Sequence, residues 1–194
     1  MFQVRIHGRG GQGVVTTSEL LAQACFIEGR HAQAFPSFGS ERTGAPVASF
    51  VRIDDRPVRS HEPVVAPDAV LVQDPTLLRS EGVLAGLAPD GWLLVNTRAD
   101  VPAEVLATIG AGVNVRTVNA SEIAMRLVGR DAPGPALLGA LAAATGVVSL
   151  EALLAALRGR FADAIAEANV EAVVDTYHRA ARALPAGGHR AQAM

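Results

Sequence analysis

The stretch IHGRGGQGVVTTSELLA, residues 6–22, decides the fold because it sets a glycine turn between a strand pattern and a helix pattern. Residues 2–7 alternate apolar and polar side chains, as a strand does. After Gly8–Gly13, apolar residues recur at spacings of three and four, which predicts a helix that stops at Gly29. Three residues are candidates for its N-cap: Thr16, Thr17 and Ser18.

Composition narrows the class of protein. The chain has 194 residues, of which 49% are hydrophobic, so it can bury a sizeable core as one domain. A formal charge of -2 argues against a nucleic-acid partner. All basic residues are arginines, which excludes a Schiff-base lysine and the lysine of a phosphate-binding loop. The single cysteine, Cys25, cannot build a disulfide, an iron–sulfur cluster or a thiolate zinc site.

The middle of the chain predicts a buried sheet. Residues 46–54 alternate again, whereas 69–74 and 91–97 are continuous apolar runs that end in polar residues, typical of parallel strands buried on both faces. Polar groups at such strand ends lie where α/β sheets bind ligands. Residues 30–45 show no period and are expected to form a long loop. No apolar run is long enough for membrane insertion and no signal peptide is seen, so a cytoplasmic protein is expected.

The last third of the chain is predicted to be mostly helical. Residues 114–129 suggest a short strand and then a helix capped by Ser121, and 132–146 form a helix rich in small residues. Ser149 is expected to begin a further helix. The predicted fold is a three-layer α/β/α domain with a mostly parallel or mixed sheet and a helical C-terminal third. Two parts are expected: a single domain, 1–184, and a flexible tail, 185–194.

The glycine stretch allows three interpretations. Consecutive amides at a helix N-terminus can hold an anion such as phosphate, and Arg9 and Gln12 would add a charge and a directional donor. The spacing of its glycines also fits G-x-G-x-x-G, but the acidic ribose ligand expected about 20 residues later is lacking, and Glu28 is a poor substitute. A purely structural turn is equally compatible, with Arg9 paired to a surface carboxylate.

A second block, Phe35–Gly44, combines aromatics, glycines and an adjacent pair of opposite charges. Its phenylalanines could fill the local core while Glu41 and Arg42 stay solvated. Alternatively, the block is an interface loop, in which Arg42 attracts anionic groups and Ser37 or Ser40 donates hydrogen bonds.

These blocks carry a resemblance. GRGGQG with its threonine- and serine-rich helix start, and AQAFPSFGSERTGAPVASFVRI after it, resemble the gamma subunit of the 2-oxoacid:ferredoxin (acceptor) oxidoreductases, the family of pyruvate, ketoisovalerate and 2-oxoglutarate enzymes. The later LLGALAAATGVVSLEALLAAL resembles the family's closing region, so the resemblance covers nearly the whole chain. The chain departs from the family pattern at 133–136, where PGPA replaces a short polar stretch.

The resemblance implies a thiamine diphosphate-dependent complex that converts a 2-oxoacid to acyl-CoA and passes electrons to ferredoxin or another acceptor. Thiamine diphosphate, Mg²⁺ and [4Fe–4S] clusters are then expected in partner subunits of alpha, beta and ferredoxin-like delta type. This chain would be inactive alone and would contribute coenzyme A binding and assembly. The rival readings are a stand-alone dinucleotide-binding oxidoreductase domain and a purely structural assembly module.

The resemblance also assigns the candidate site residues. No catalytic or metal-binding residue is expected in the chain, since its histidines lack ligand spacing and no G-x-S-x-G elbow is present. The expected contacts with the coenzyme A phosphates are Gly8, Arg9, Gly10, Gly11, Gln12 and Gly13. The expected interface and active-site entrance residues are Phe35, Ser37, Phe38, Gly39, Ser40, Glu41, Arg42 and Gly44.

Overall fold

A computed structural model describes residues 1–37 and 44–182. Its centre is a six-stranded mixed sheet with the strand order β2-β3-β1-β4-β5-β6. Strands β1, β4, β5 and β6 run parallel to one another, whereas β3 is antiparallel to both β1 and β2. The strands are β1 Phe2–Arg9, β2 His31–Pro36, β3 Pro46–Asp54, β4 Ala69–Val72, β5 Trp92–Asn96 and β6 Asn114–Val118.

Helices cover one face of the sheet. Of the six α-helices in the described residues, α1, α3, α4, α5 and α6 pack on this face, where leucines, valines and alanines form the larger core. Helix α4 is buried along most of its length and lies against α6. The helices are α1 Val14–Ile27, α2 Ala103–Leu106, α3 Ala120–Leu127, α4 Gly134–Thr145, α5 Leu150–Arg160 and α6 Asp163–Arg182.

The opposite face has a thinner cover. Over β4 and β5 it consists of α2 and a 3₁₀ helix, Pro75–Arg79, packed on a smaller apolar core. Over β1 and β3 it consists of loops that two buried arginines hold. Arg5 donates to the carbonyls of Val64, Val83 and Ala85, and Arg52 donates to those of Ser60 and Pro63.

The predicted α/β fold, with its mixed sheet and helical C-terminal third, is confirmed. Residues 46–54 form β3 with the predicted bounds, and the two apolar runs form the parallel strands β4 and β5. The predicted loop over 30–45 is wrong in its first half, because β2 pairs with β3 there as an edge strand. The expected tail, 185–194, lies outside the described residues.

Two predicted helix caps are also wrong. Gly13 is the N-cap of α1, with a φ of 74°, so the three hydroxyl residues proposed as caps lie inside the helix. Asn119 precedes α3 in place of Ser121. The prediction at Ser149 is confirmed, since its side chain accepts a hydrogen bond from the Ala152 amide at 3.1 Å. None of the described helices has the length and apolarity that a membrane span requires.

Candidate anion-binding site

The carboxyl ends of the parallel strands β1, β4 and β5 lie side by side at one end of the sheet. The chain leaves β1 through α1 on the helical face, and it leaves β4 through the 3₁₀ helix on the opposite face. Such a change of face opens a crevice outside the strand ends, where α/β sheets bind ligands. The candidate site is therefore at the end of the sheet formed by the carboxyl ends of these strands.

Arg9 crosses the crevice and is held by its own chain. Its Nε donates to Asp74 Oδ2 at 2.6 Å, and its other nitrogens donate to Thr76 Oγ1 at 2.8 Å and to the Gly44 carbonyl at 3.0 Å. Burial raises the pKa of Asp74, but hydrogen bonds from Thr76 and Arg9 outweigh this effect and keep the pKa below its usual value. Arg9 thus joins the turns that follow β1 and β4 through its hydrogen bonds.

The turn after β1 requires glycine for two different reasons. At Gly8 a Cβ would lie 2.6 Å from Val14 Cγ2, so the strand and the helix could not approach as they do. Gly11 and Gly13 have φ values of 98° and 74°, in the left-handed region that favours glycine. A Cβ on Gly11 would meet no atom within 4 Å, so the outer surface of the turn is open.

The N-terminus of α1 points into this open region without a cap. The first amides of a helix have no acceptor within the helix, and no side chain of the described residues caps those of α1. The first turn also contains no acidic residue, so no carboxylate there offsets the partial positive charge of the helix end. The amides of Val14, Val15 and Thr16 can therefore bind an anion.

A buried hydrogen-bond network supports the turn from below. Thr17 Oγ1 donates to the Gly13 carbonyl at 2.9 Å, so it must accept the bond from Gln73 Nε2 at 2.8 Å. This fixes the amide orientation of Gln73, a fully buried residue, and directs its Oε1 toward Gly8. A Cβ on Gly134 would lie 1.8 Å from Thr17 Oγ1, so α4 reaches the network only because its first residue is glycine.

The network continues to the end of β5. Asn96 Nδ2 donates to the Gln73 carbonyl at 2.7 Å, and Asn96 Oδ1 accepts the Ser121 amide hydrogen bond at 3.0 Å. Ser121 Oγ then donates to Asp131 Oδ1 at 2.5 Å. The side chains of Asn96, Ser121 and Asp131 thus tie the ends of β4 and β5 to the first turn of α3 and to the segment that follows α3, which fixes the floor of the site.

A cavity of about 280 Å³ opens beside the turn. Gly11, Gln12 and Gly13 line one side of it, and the exposed residues Arg130 and Arg160 line the other. Thr16 of the uncapped first turn of α1 also lines it, so the cavity brings part of a helix N-terminus together with two guanidinium groups, and both kinds of group bind oxyanions. Asp131 also lines it, but its Oδ1 already accepts the hydrogen bond from Ser121.

The structure divides the predicted phosphate contacts into two groups. Gly11, Gln12 and Gly13 line the cavity, whereas Gly8, Arg9 and Gly10 do not. Gln12 Oε1 accepts the Arg9 amide hydrogen bond at 2.8 Å, which stabilises the turn itself. The Gly10 amide donates to the Ala45 carbonyl at 2.9 Å.

The two blocks predicted from the sequence meet in space. Gly44 donates from its amide to the Gly10 carbonyl at 3.1 Å, and the Ser37 amide donates to the Ala48 carbonyl at 2.9 Å. Phe35 packs on Phe50 with ring centroids 5.3 Å apart, on the sheet face opposite α1. Five predicted residues lie outside the described ones: Phe38, Gly39, Ser40, Glu41 and Arg42.

Titration argues against catalysis by two other groups. Burial, helped by the nearby charge of Arg5, lowers the pKa of His7 to about 4, so its ring is neutral at physiological pH. Burial raises the pKa of the Cys25 thiol to about 12, so it is not a nucleophile there. No group of three or more metal-ligating side chains occurs within 1–37 and 44–182.

Sequence reasoning missed Arg130 and Arg160. They lie more than a hundred residues from the glycine turn in sequence and 30 residues from each other, so no local spacing connects them. The network residues had a weak signal, because Gln73 and Asn96 are the polar residues that end the two buried strands.

A mixed sheet with a glycine turn, an uncapped helix N-terminus and an arginine-lined cavity at its switch point defines the class of α/β domain to which this chain belongs. The chain belongs to the pyruvate ferredoxin/flavodoxin oxidoreductase family, whose sequence profile matches residues 3–178. Its place is therefore that of a subunit in a 2-oxoacid:ferredoxin oxidoreductase complex.

Known relatives match almost the full chain. The common gamma subunit of the pyruvate/ketoisovalerate oxidoreductases of Pyrococcus abyssi is 42% identical over 180 residues, which are 92% of this chain and 97% of that one. The crystal structure of the pyruvate oxidoreductase subunit PORC of Thermotoga maritima has a TM-score of 0.80 at 40% identity, covering 91% and 95% of the two chains.

A third structure extends the fold comparison. The 2-oxoglutarate:ferredoxin oxidoreductase of Magnetococcus marinus, solved with 2-oxoglutarate, coenzyme A and succinyl-CoA, has a TM-score of 0.76 at 20% identity. The match covers 95% of this chain but 31% of that one, so the fold also occurs as part of a longer polypeptide.

Proposed function

We propose that the cavity at the N-terminus of α1 holds phosphate groups of coenzyme A for the complex to which this subunit belongs. The observation that carries the proposal is that Thr16, in the uncapped first turn of α1, lines one cavity together with the glycine turn, Arg130 and Arg160. Coenzyme A is the phosphate-bearing reactant that 2-oxoacid:ferredoxin oxidoreductases consume when they form acyl-CoA. A subunit of such a complex with a phosphate site therefore has an evident ligand.

The size of the cavity indicates which part of coenzyme A would bind. A volume of about 280 Å³ is enough for one or two phosphate groups but too small for the whole cofactor. The phosphates would lie at the turn, and the pantetheine arm would extend out of the cavity toward the subunits that carry out the chemistry. The chain then positions the acyl acceptor and takes no part in bond making.

The remaining tasks belong to partners under the same proposal. Thiamine diphosphate with Mg²⁺, and the [4Fe–4S] clusters, would be bound by subunits of alpha, beta and ferredoxin-like delta type. The composition supports this division, since one cysteine cannot ligate a cluster and Cys25 is buried in the core. The chain alone would have no oxidoreductase activity.

The block Phe35–Gly44 would face the catalytic subunits. Its C-terminal end is joined to the glycine turn, because the Gly44 amide donates to the Gly10 carbonyl and the Gly44 carbonyl accepts from Arg9, so the block ends beside the turn of the proposed coenzyme A site. Within it, Glu41 and Arg42 are the charged candidates for contact with partners. Exchange of Arg42 for alanine should weaken assembly, as measured by co-purification of the subunits.

The stand-alone dinucleotide reading has little support in the fold. In such domains an acidic residue ends the strand next to β1 and binds the ribose. Here the parallel neighbour of β1 is β4, and the Asp74 carboxylate that follows it is occupied by Arg9 and Thr76. The second rival is a purely structural module. It predicts that substitutions in the cavity leave KM for coenzyme A unchanged.

The test uses the assembled complex with Arg130→Gln and Arg160→Gln, singly and together. Loss of one charge-assisted hydrogen bond costs about 1.5–3 kcal/mol, so we expect KM for coenzyme A to rise about tenfold or more per substitution. Cluster reduction by the 2-oxoacid in the absence of coenzyme A should not change. Arg158→Gln is the matched control, because Arg158 is an equally exposed arginine near the end of α5 that pairs with Glu167 and does not line the cavity.

An unchanged KM for coenzyme A in the double variant would refute the proposal. Dephospho-coenzyme A, which lacks the 3′-phosphate, then shows which phosphate binds. If the 3′-phosphate occupies the cavity, the variants will discriminate less between the two cofactors than the wild-type complex does.

A further inference from the structure

The free edge of β6 forms a second candidate site, on the side of the sheet away from β2. β6 is the last strand of the sheet and pairs only with β5 among the described strands. The Asn114 amide donates to the Gly91 carbonyl and the Val118 carbonyl accepts from Thr97, so these two residues turn their backbone toward β5. Backbone direction alternates along a strand, so Val115 and Thr117 turn theirs outward.

One outward carbonyl is already occupied by a side chain. Arg116 Nη1 donates to the carbonyl of Val115 at 2.9 Å, in the place where a neighbouring strand would donate an amide. The exposed Thr117 leaves its amide and carbonyl on the same edge. An edge with free backbone groups is a template for another strand.

A cavity of about 270 Å³ follows this edge between α3 and α6. The four consecutive residues Arg116–Asn119 line it. Three of them belong to β6, and successive side chains of a strand point to opposite faces, so a cavity that touches all three lies along the edge of the strand. The cavity therefore gives access to the backbone of β6 as well as to its side chains.

The charge of the cavity is positive. Arg116, Arg126 and Arg179 line it, and one carboxylate, Asp175, serves both Arg126 at 3.2 Å and Arg179 at 2.7 Å. Glu122 is already paired with Arg98. Arg116 has no ion pair with any carboxylate of the described residues; it stacks over Trp92, and its buried Nε has no acceptor there.

We propose that the edge of β6 is a docking site for an acidic, extended segment of a partner subunit, which adds a seventh strand to the sheet. Its carboxylates would bind Arg126 and draw Arg116 away from the Val115 carbonyl, and its amides and carbonyls would then pair with Val115 and Thr117. The proposal rests on the chain's place in a multi-subunit complex. It is independent of the coenzyme A site, because the two cavities share no lining residue.

Hydrogen exchange provides the first test, on the free chain and on the assembled complex. The outward amides of Val115 and Thr117 should exchange fast in the free chain and at least about tenfold more slowly in the complex. The inward amides of Asn114 and Arg116 are the internal control, because β5 protects them in both states. Equal exchange of the Thr117 amide in the two states would overturn the proposal.

Matched substitutions separate backbone pairing from charge. Thr117→Pro removes the outward amide, which an edge strand tolerates, and should lower affinity for the partner subunits at least about tenfold, whereas Thr117→Val should keep it. Arg126→Glu should also weaken assembly. Its control is Arg158→Glu, since both arginines are exposed and pair with a carboxylate of α6. Circular dichroism of each free variant verifies folding, and normal assembly of folded Thr117→Pro would contradict the proposal.

A photo-crosslinker at position 117 identifies the occupant. Benzoylphenylalanine there should crosslink, in the assembled complex, to a partner peptide that contains Asp or Glu at alternate positions. A crosslink to a second copy of this chain, or to a peptide without acidic residues, would overturn it. Because the readout is assembly, a normal KM for coenzyme A in these variants separates this inference from the proposed function.

Discussion

The two faces of the sheet are covered in different ways. Helices cover one face with leucine, valine and alanine side chains, and contact between α4 and α6 requires glycine at Gly139. Loops cover the β1–β3 part of the other face, and the guanidinium groups of Arg5 and Arg52 hold them through backbone carbonyls. The helical layer is held by close packing and the loop layer by buried hydrogen bonds, so different substitutions should destabilise each of them.

The helical cover should be most sensitive to added volume at Gly139. A Cβ there would lie 2.4 Å from Thr176 Oγ1 and 2.5 Å from the Val173 carbonyl, so α4 and α6 would have to separate. We expect Gly139→Ala to reduce the free energy of unfolding by about 3 kcal/mol, measured by urea denaturation.

The same substitution on α5 is the control. A Cβ on Gly159 would meet only the end of the exposed Gln23 side chain, at 3.3 Å. Gly159→Ala should therefore stabilise the protein by up to about 1 kcal/mol through helix propensity. Equal losses at both positions would show that close packing of α4 on α6 is not the cause.

The loop-covered face should give the protein a pH dependence through His7. Its pKa is about 4 in the folded state against 6.5 for a free histidine, so between these values the unfolded chain binds a proton that the folded chain does not. Stability should then fall as the pH drops from 6.5 to 4, by at most about 3 kcal/mol.

Denaturation of His7→Gln between pH 6.5 and 4 measures how much of the pH dependence of stability comes from His7. The free energy of unfolding of the variant should change much less with pH than that of the wild type, and any pH dependence that remains comes from the carboxylates. A slope that the substitution does not change would exclude His7 as its source.

Loss of Arg5 should loosen the loops without expanding the core. Arg5 is buried, burial lowers its pKa, and it donates to three carbonyls that Met cannot satisfy. We expect Arg5→Met to cost about 2 kcal/mol and to speed amide exchange in residues 64–85, with the α4 amides little affected. If exchange rises in α4 as much as in the loops, the two covers are not separable.

The smallest effect on stability is expected at the N-terminus of α5, one of the helices that cover the sheet. Ser149 caps α5 through the Ala152 amide, and Ser149→Ala should cost about 1 kcal/mol. Ser149→Asp keeps a capping oxygen and should retain most of the stability in thermal denaturation. If the two variants melt alike, the cap does not contribute.

The comparison also explains which parts of the fold could be predicted. Helices and half-buried strands have periods of 3.6 and 2, and strands buried on both faces are continuous apolar runs, so β3, β4, β5 and the C-terminal helices followed from local patterns. The edge strand β2 did not, because its HAQAFP sequence carries no clear alternation and its partner β3 supplies the pairing. The cap of α1 was missed because a left-handed glycine needs no side-chain oxygen.

The candidate site was predictable only in part. The glycine turn and the block after it stood out as local motifs, and their contact through Gly10 and Gly44 agrees with a shared role. Arg9 also stood out, yet it is bound to Asp74, a residue 65 positions away that no sequence pattern connects to it. Whether the turn binds coenzyme A is a prediction that the kinetics of the Arg130 and Arg160 variants will decide.

The sequence by itself determined the strand–glycine turn–helix at the start of the chain, the buried parallel strands and the family resemblance. All of these depend on residues close together in the chain, where conformational preference and hydrophobic period act directly. Only the tertiary structure decided that Arg9 joins the turns after β1 and β4, that Arg130 and Arg160 line the same cavity as the glycine turn, and that β6 has a free edge among the described strands. Those features depend on contacts between distant segments, which packing of the whole chain creates and no local pattern encodes.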